Sequence, residues 1–147
     1  MRNYEITVDI DAPPARVWDV MIDVEKWPEW TPSMSSVKRL DPGELRVGSR
    51  VRIKQPGLAP ATMTITHIEP DKCFTWRAKA PGVVVTATHT ITEKGKGSQV
   101  VLSLYFDGLV GGIIARATRG INERYIAYEA AGLKKRSEHP PATARLK

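Results

Sequence analysis

Residues 83–107 read VVVTATHTITEKGKGSQVVLSLYFD. Thr86, Thr88, Thr90 and Thr92 alternate with Val85, Ala87, His89 and Ile91. Past the turn Lys94-Gly95-Lys96-Gly97, Val100, Leu102, Leu104 and Phe106 recur at every second position of a strand over about 99–107. A period of two on both sides of a Gly-rich turn is an antiparallel hairpin. One face is apolar and the other is polar, so this sheet has one covered face and one wet face.

The same pattern extends upstream. Over 50–54, Arg50, Arg52 and Lys54 alternate with Val51 and Ile53. Over 62–67, Thr62, Thr64 and Thr66 alternate with Met63, Ile65 and His67. Over 73–79, Cys73, Thr75, Arg77 and Lys79 alternate with Phe74, Trp76 and Ala78. The turns Glu69-Pro70-Asp71 and Ala80-Pro81-Gly82 separate these runs. Residues 34–40 add a further strand, and YEITVDI at 4–10 another, with Tyr4, Ile6, Val8 and Ile10 on one face. Between those two, Asp11 fits an N-cap ahead of Pro13 and Pro14, and Val17, Trp18, Met21 and Ile22 form a helical stripe to about Asp23. VEKWPEWTP then permits one short helical turn before a stop.

After Gly108–Gly112 the period becomes helical. Ile114, Ala117, Ile121, Tyr125 and Tyr128 share one stripe, with Arg116, Arg119 and Glu123 opposite. This predicts one helix from Ile113 to about Lys135, roughly 35 Å long and able to cross the whole sheet. The fold class is therefore α+β: about seven antiparallel strands around a long C-terminal helix, with two short helices after the first strand. One domain over 1–138 accounts for the pattern, and 139–147, with Pro140 and Pro141, reads as a disordered tail.

Composition excludes several function classes. Of the net charge of +6, +4 belongs to residues 134–147, leaving +2 on the body. Nucleic-acid binding needs basic charge on a folded face beside stacking aromatics, and that pattern is missing. No apolar run reaches the ~18–20 residues of a membrane span, so no stable membrane insertion is expected. MRNYEITVDI has no signal-peptide core, and the lone Cys73 permits no internal disulfide. A cytoplasmic location, no cofactor and no metal are the corresponding expectations. Open sheet edges leave homodimer pairing available.

Three segments carry a family resemblance: DAPPARVWDVMIDVEKWPEWTP at 11–32, THTITEKGKGSQVVLSLYFDG at 88–108, and AYEAAGLKKRSE at 127–138. Together with the first strand they resemble the START-like (SRPBCC) superfamily, specifically the bacterial polyketide cyclase/dehydrase-like proteins with a helix-grip fold. The resemblance implies a cavity between the concave sheet and the last helix. It also implies a lipid, polyketide or other mostly apolar small molecule as partner, either bound only or acted on by a cyclase, aromatase or dehydratase. The Cys-x-His pair of an oxygenase large subunit is missing.

On this reading the lining candidates are Met63, Trp76, Ala87, His89, Leu104 and Phe106 from the covered face. Ile121, Tyr125 and Tyr128 come from the helix stripe, and Trp30 forms a lid. Small residues at Ala117, Ala131 and Gly132 are expected to leave the space unfilled. His89 is the one candidate acid–base group, placed mid-strand on the covered side. His67 shares that parity but falls at the rim beside a turn. Cys73 has wet-face parity with no histidine evident beside it, so it is not read as a nucleophile.

Overall fold

The computed structural model describes residues 3–140. In chain order these form β1 (Asn3–Ile10), α1 (Pro14–Ile22), a 3₁₀ segment (Val24–Glu29), β2 (Ser36–Arg39), β3 (Arg50–Lys54), β4 (Ala61–Glu69), β5 (Cys73–Ala80), β6 (Val83–Lys94), β7 (Gly97–Asp107), α2 (Gly111–Ala117) and α3 (Arg119–Glu138). The strands make one curved antiparallel sheet in the order β1-β7-β6-β5-β4-β3-β2. The expected α+β helix-grip architecture is present. The tail expected from 139 onward lies, past Pro140, outside the described residues.

Register follows the alternation read from sequence. Trp76 pairs with Ala87, and Ala87 with Leu104, so one layer of inward positions runs across β5, β6 and β7. A bulge between Ile65 and His67 breaks the pattern. It adds one residue to β4, so Ile68 now pairs with Phe74 and turns inward while His67 is exposed on the outer face. The covered-face parity read for His67 is thereby reversed.

Two helix expectations also change. Asp11 does not cap α1: Pro13, locked extended at φ −68° and ψ 155°, occupies the N-cap position. The Asp11 backbone N–H instead donates to Glu138 Oε2 at 2.7 Å. The single C-terminal helix is interrupted at Thr118, whose hydroxyl donates back to the Ile114 carbonyl at 2.7 Å. Such bonds compete with the helical ladder and bend it. Gly111, Ala115, Asn122, Ala130, Leu133 and Ser137 are the buried positions of α2 and α3, at helical spacing that continues across the interruption.

Both ends of this helical arm are fastened. Tyr4 donates its hydroxyl to the Ala115 carbonyl at 2.5 Å. Lys134 Nζ donates to the Asp9 carbonyl at 2.9 Å and to Glu138 Oε2 at 2.6 Å. Between them, Gly132 lies so close to the Trp30 backbone that a Cβ there would overlap the Trp30 carbonyl oxygen. Gly132→Ala is therefore expected to destabilise the fold by about 1–3 kcal/mol through overpacking. Gly120→Ala, whose Cβ meets nothing within 4 Å, is expected to be neutral or up to about 1 kcal/mol stabilising, as helix propensity dictates. Urea unfolding of the two variants checks the contrast.

Candidate functional site

The concave face of the sheet is filled at one end and hollow at the other. At the filled end α1 and the 3₁₀ segment lower aromatic side chains onto β5 and β6. Trp27 is fully buried, donates its indole N–H to the Met21 carbonyl at 2.9 Å, and packs 5.2 Å from Trp76 and 5.5 Å from His89, centroid to centroid. Trp18 meets Phe74 edge to face at 6.3 Å.

Beyond that plug lies a cavity of about 230 Å³. Its floor is Met63, Trp76, Ala78, Val85, Ala87, Leu102, Leu104 and Phe106; its roof is Ile114, Thr118, Asn122, Tyr125, Ile126 and Glu129; Gln55, Leu58 and Ala59 of the β3–β4 loop close one side. The hollow comes from the sheet, where Ala61, Ala78 and Ala87 hold inward positions that larger side chains would fill. The helix residues expected to create it do not: Ala117 and Ala131 are exposed, and Gly132 is pressed against Trp30.

Two titratable side chains line this space. His89 is 3% exposed and stacks on Phe74 with ring centroids 4.1 Å apart. Its Nδ1 lies 3.1 Å from the Phe74 carbonyl. A carbonyl only accepts, so Nδ1 carries the proton and Nε2 is left as the acceptor. Burial lowers the His89 pKa to about 4, against a small opposing effect of that hydrogen bond, so the ring is neutral at ordinary pH.

Glu129 is the second. Burial raises its carboxyl pKa to about 7, although Ser33 Oγ donates to Oε2 at 3.2 Å and works in the other direction. Ser33 is itself fully buried and shares a 2.8 Å hydrogen bond with the hydroxyl of buried Thr31. The segment leaving the 3₁₀ turn thus positions a helix carboxyl at the cavity roof. Asn122, one helical stripe away, donates to Thr118 Oγ1 at 2.8 Å.

Of the residues singled out from sequence, Met63, Trp76, Ala87, His89, Leu104, Phe106 and Tyr125 line the cavity. The Tyr125 hydroxyl donates to the Pro56 carbonyl, tying α3 to the β3–β4 loop. Ile121, Tyr128 and Trp30 do not line it. Ile121 and Tyr128 lie one position round the helix from the inward stripe: Ile121 is beside Gly57, and Tyr128 is 38% exposed. Trp30 faces a separate surface cleft with Pro28, Pro32, Gly132 and Arg136. Asn122 and Glu129 were missed because an apolar stripe was sought. They fall, with Ile126 and Leu133, on the true inward stripe at helical spacing, where a polar residue is the informative exception.

A sheet gripping a helix over a partly open, mostly apolar cavity defines a START-like helix-grip protein. The polyketide cyclase/dehydrase and lipid transport family model matches residues 1–138, so the chain belongs to that family. Solved structures agree on the fold. The ZhuI aromatase/cyclase from Streptomyces sp. R1128 has 21% identity and a TM-score of 0.79, covering 97% of each chain. A START superfamily protein from Mycobacterium smegmatis has 14% identity and a TM-score of 0.73, covering 92% of this chain and 99% of its own. A protein from Thermus thermophilus has 17% identity and a TM-score of 0.74, covering 92% of this chain and 96% of its own. No curated protein sequence matches the chain. Among the described residues, no helix is long and apolar enough to cross a membrane.

The Glu129 environment has a measurable consequence. The folded carboxyl holds its proton to about pH 7, while its ordinary value is 4.5. Between these values the native state binds more protons than the unfolded chain, so stability falls as pH rises and levels off above about 7. Glu129→Gln keeps the Ser33 contact and removes the ionisation. It is expected to exceed the parent in stability by about 1–3 kcal/mol near pH 8, with the two converging near pH 4.5. Thermal unfolding across that range checks it.

Proposed function

We propose that this protein binds a small, mostly apolar molecule bearing one hydrogen-bonding group. The apolar body rests on Met63, Trp76, Ala87, Leu104 and Phe106, and the polar group meets Glu129 or the free acceptor of His89. The observation that carries this reading is the cavity itself: about 230 Å³, mostly apolar, with a few polar groups contributed by the sheet and by the helical roof. Apolar cavities of ~150 Å³ already admit a benzene-sized guest. Burying a guest's apolar surface contributes roughly 25 cal/mol per Å² before association costs. Family membership supports the same class of ligand. A cytoplasmic location goes with this reading, as does pairing of two copies through edge strands β1 or β2.

The test fills the hollow. Ala87→Phe places a ring in the cavity from its floor, and is expected to match or exceed the parent's melting temperature without ligand. Screened against lipids, aromatic ketones and polyphenolic compounds, the parent is expected to gain about 2–3 kcal/mol from a ligand held near 100 times its Kd. Ala87→Phe should lose that gain. A screen in which no compound stabilises the parent, or in which Ala87→Phe responds equally, overturns the proposal.

A second reading, a cyclase, aromatase or dehydratase acting in the same cavity, rests on Glu129. A carboxyl with a pKa of about 7 is suited to give and take protons at neutral pH. Under that reading Glu129→Gln lowers kcat by about 10²-fold or more while ligand affinity is kept. Turnover that survives His89→Ala removes the histidine from the chemistry.

A further inference from the structure

The outer face of the sheet holds a feature unrelated to the cavity. At the turn end of the β4–β5 hairpin, Glu69 pairs directly across from Cys73, and His67 lies two residues before Glu69 on the same strand. The bulge after Ile65 turns His67 outward onto the face that Glu69 and Cys73 already share. One ligand-type atom from each, the His67 imidazole nitrogen, a Glu69 carboxylate oxygen and Cys73 Sγ, falls within 4.8 Å of the other two. His67 and Glu69 are exposed and Cys73 is half-buried.

The spacing can be compared with a metal's requirements. Tetrahedral zinc takes imidazole nitrogen at about 2.0–2.1 Å, carboxylate oxygen at about 2.0–2.2 Å and thiolate sulfur at about 2.3 Å. Tetrahedral angles then place nitrogen and oxygen about 3.3–3.5 Å apart, and sulfur and oxygen about 3.5 Å apart. Here His67 Nε2 is 3.3 Å from Glu69 Oε2, and Cys73 Sγ is 3.4 Å from the same oxygen. Two edges of the coordination polyhedron therefore exist before any ion arrives.

We propose that His67, Glu69 and Cys73 form a binding site for a divalent, borderline-soft transition-metal ion of the Zn²⁺ type. The donor set selects against Mg²⁺ and Ca²⁺, which require oxygen ligands. Thiolate and carboxylate bring two negative charges to a doubly charged ion, so the filled site is neutral. The thiol proton leaves to solvent as the sulfur–metal bond forms, one proton for each ion bound. Three protein ligands leave the fourth vertex to water, and the exposure of His67 and Glu69 gives that water free access. The backbone supplies the rigidity: two ligands are successive outward residues of one strand, and the third is their cross-strand neighbour.

Co²⁺ titration of the reduced, chelator-treated full chain tests this, because cobalt reports both thiolate ligation and tetrahedral geometry in its absorption spectrum. One equivalent of Co²⁺ is expected to give a sulfur-to-cobalt charge-transfer band and intense visible bands, both displaced by Zn²⁺ and unaffected by excess Mg²⁺. Cys73→Ser should abolish the charge-transfer band. His67→Gln should weaken uptake about tenfold or more. The site is at the surface, so circular dichroism should match the parent in both variants. Saturating Co²⁺ without a charge-transfer band, a band that persists in Cys73→Ser, or unaltered affinity in His67→Gln would each refute the site. None of these outcomes bears on ligand binding in the cavity.

Discussion

The close approach of Gly132 to the Trp30 backbone sets the height at which α3 crosses the sheet. A side chain at that position would push the C-terminal half of the helix outward. With glycine there, α3 descends until Ala130 and Leu133 are buried in the core formed with Trp27, Phe74 and Met21. Fastening is then repeated by Lys134 and Glu138, which reach back to the backbone of Asp9 and Asp11. At the other end Tyr4 holds the Ala115 carbonyl. The arm is a beam fixed at its ends, and the cavity is the span beneath its middle.

What occupies that span is decided by side-chain volume on the sheet. At the closed end, Phe74 and Trp76 are large enough to meet Trp18 of α1 and Trp27 of the 3₁₀ segment. At the open end, Ala61, Ala78 and Ala87 are too short to reach the arm, and no other residue extends to replace them. Interiors pack to near-crystalline density unless something forbids collapse. Here the fastened ends forbid it: lowering the middle of α3 would break the Tyr4–Ala115 bond or drive Gly132 into Trp30. The hollow is therefore maintained by contacts remote from it.

Most of the architecture was legible because period-two alternation is a direct print of a half-covered sheet. Val85, Ala87, Leu104 and Phe106 needed only their parity to be placed. Where the reading failed, a local backbone event intervened that parity does not record. The bulge between Ile65 and His67 inserts one residue and inverts everything after it on β4. Nothing in Ile65-Thr66-His67 announces it. The Thr118 hydroxyl bond interrupts what periodicity presents as a continuous helix. Ile121 and Tyr128 miss the cavity because the inward stripe runs one position round, through Thr118, Asn122, Ile126 and Glu129, whose polar members an apolar pattern passes over. Glu129 was invisible for another reason: a charged residue type suggests solvent, whereas its burial depends on Ser33, distant in sequence and brought close only by the fold.

The two ionisable groups at the cavity wall constrain what it accepts. His89 is half-protonated near pH 4, and Glu129 is half-ionised near pH 7. Near the middle of that interval, about pH 5–6, both are mostly neutral, so the cavity presents little net charge to a guest. Desolvation is the cause in each case, acting in opposite directions because one group is charged when protonated and the other when deprotonated. A neutral Glu129 can donate a hydrogen bond, and the His89 Nε2 lone pair can accept one. The wall is thus matched to a guest that offers a carbonyl or a hydroxyl, such as a phenol or ketone. A guest bearing a fixed anionic charge would meet no compensating cation among the residues lining the cavity, and would lose its hydration without return. Selection for apolar, hydrogen-bonding molecules follows from the same burial that keeps both side chains uncharged.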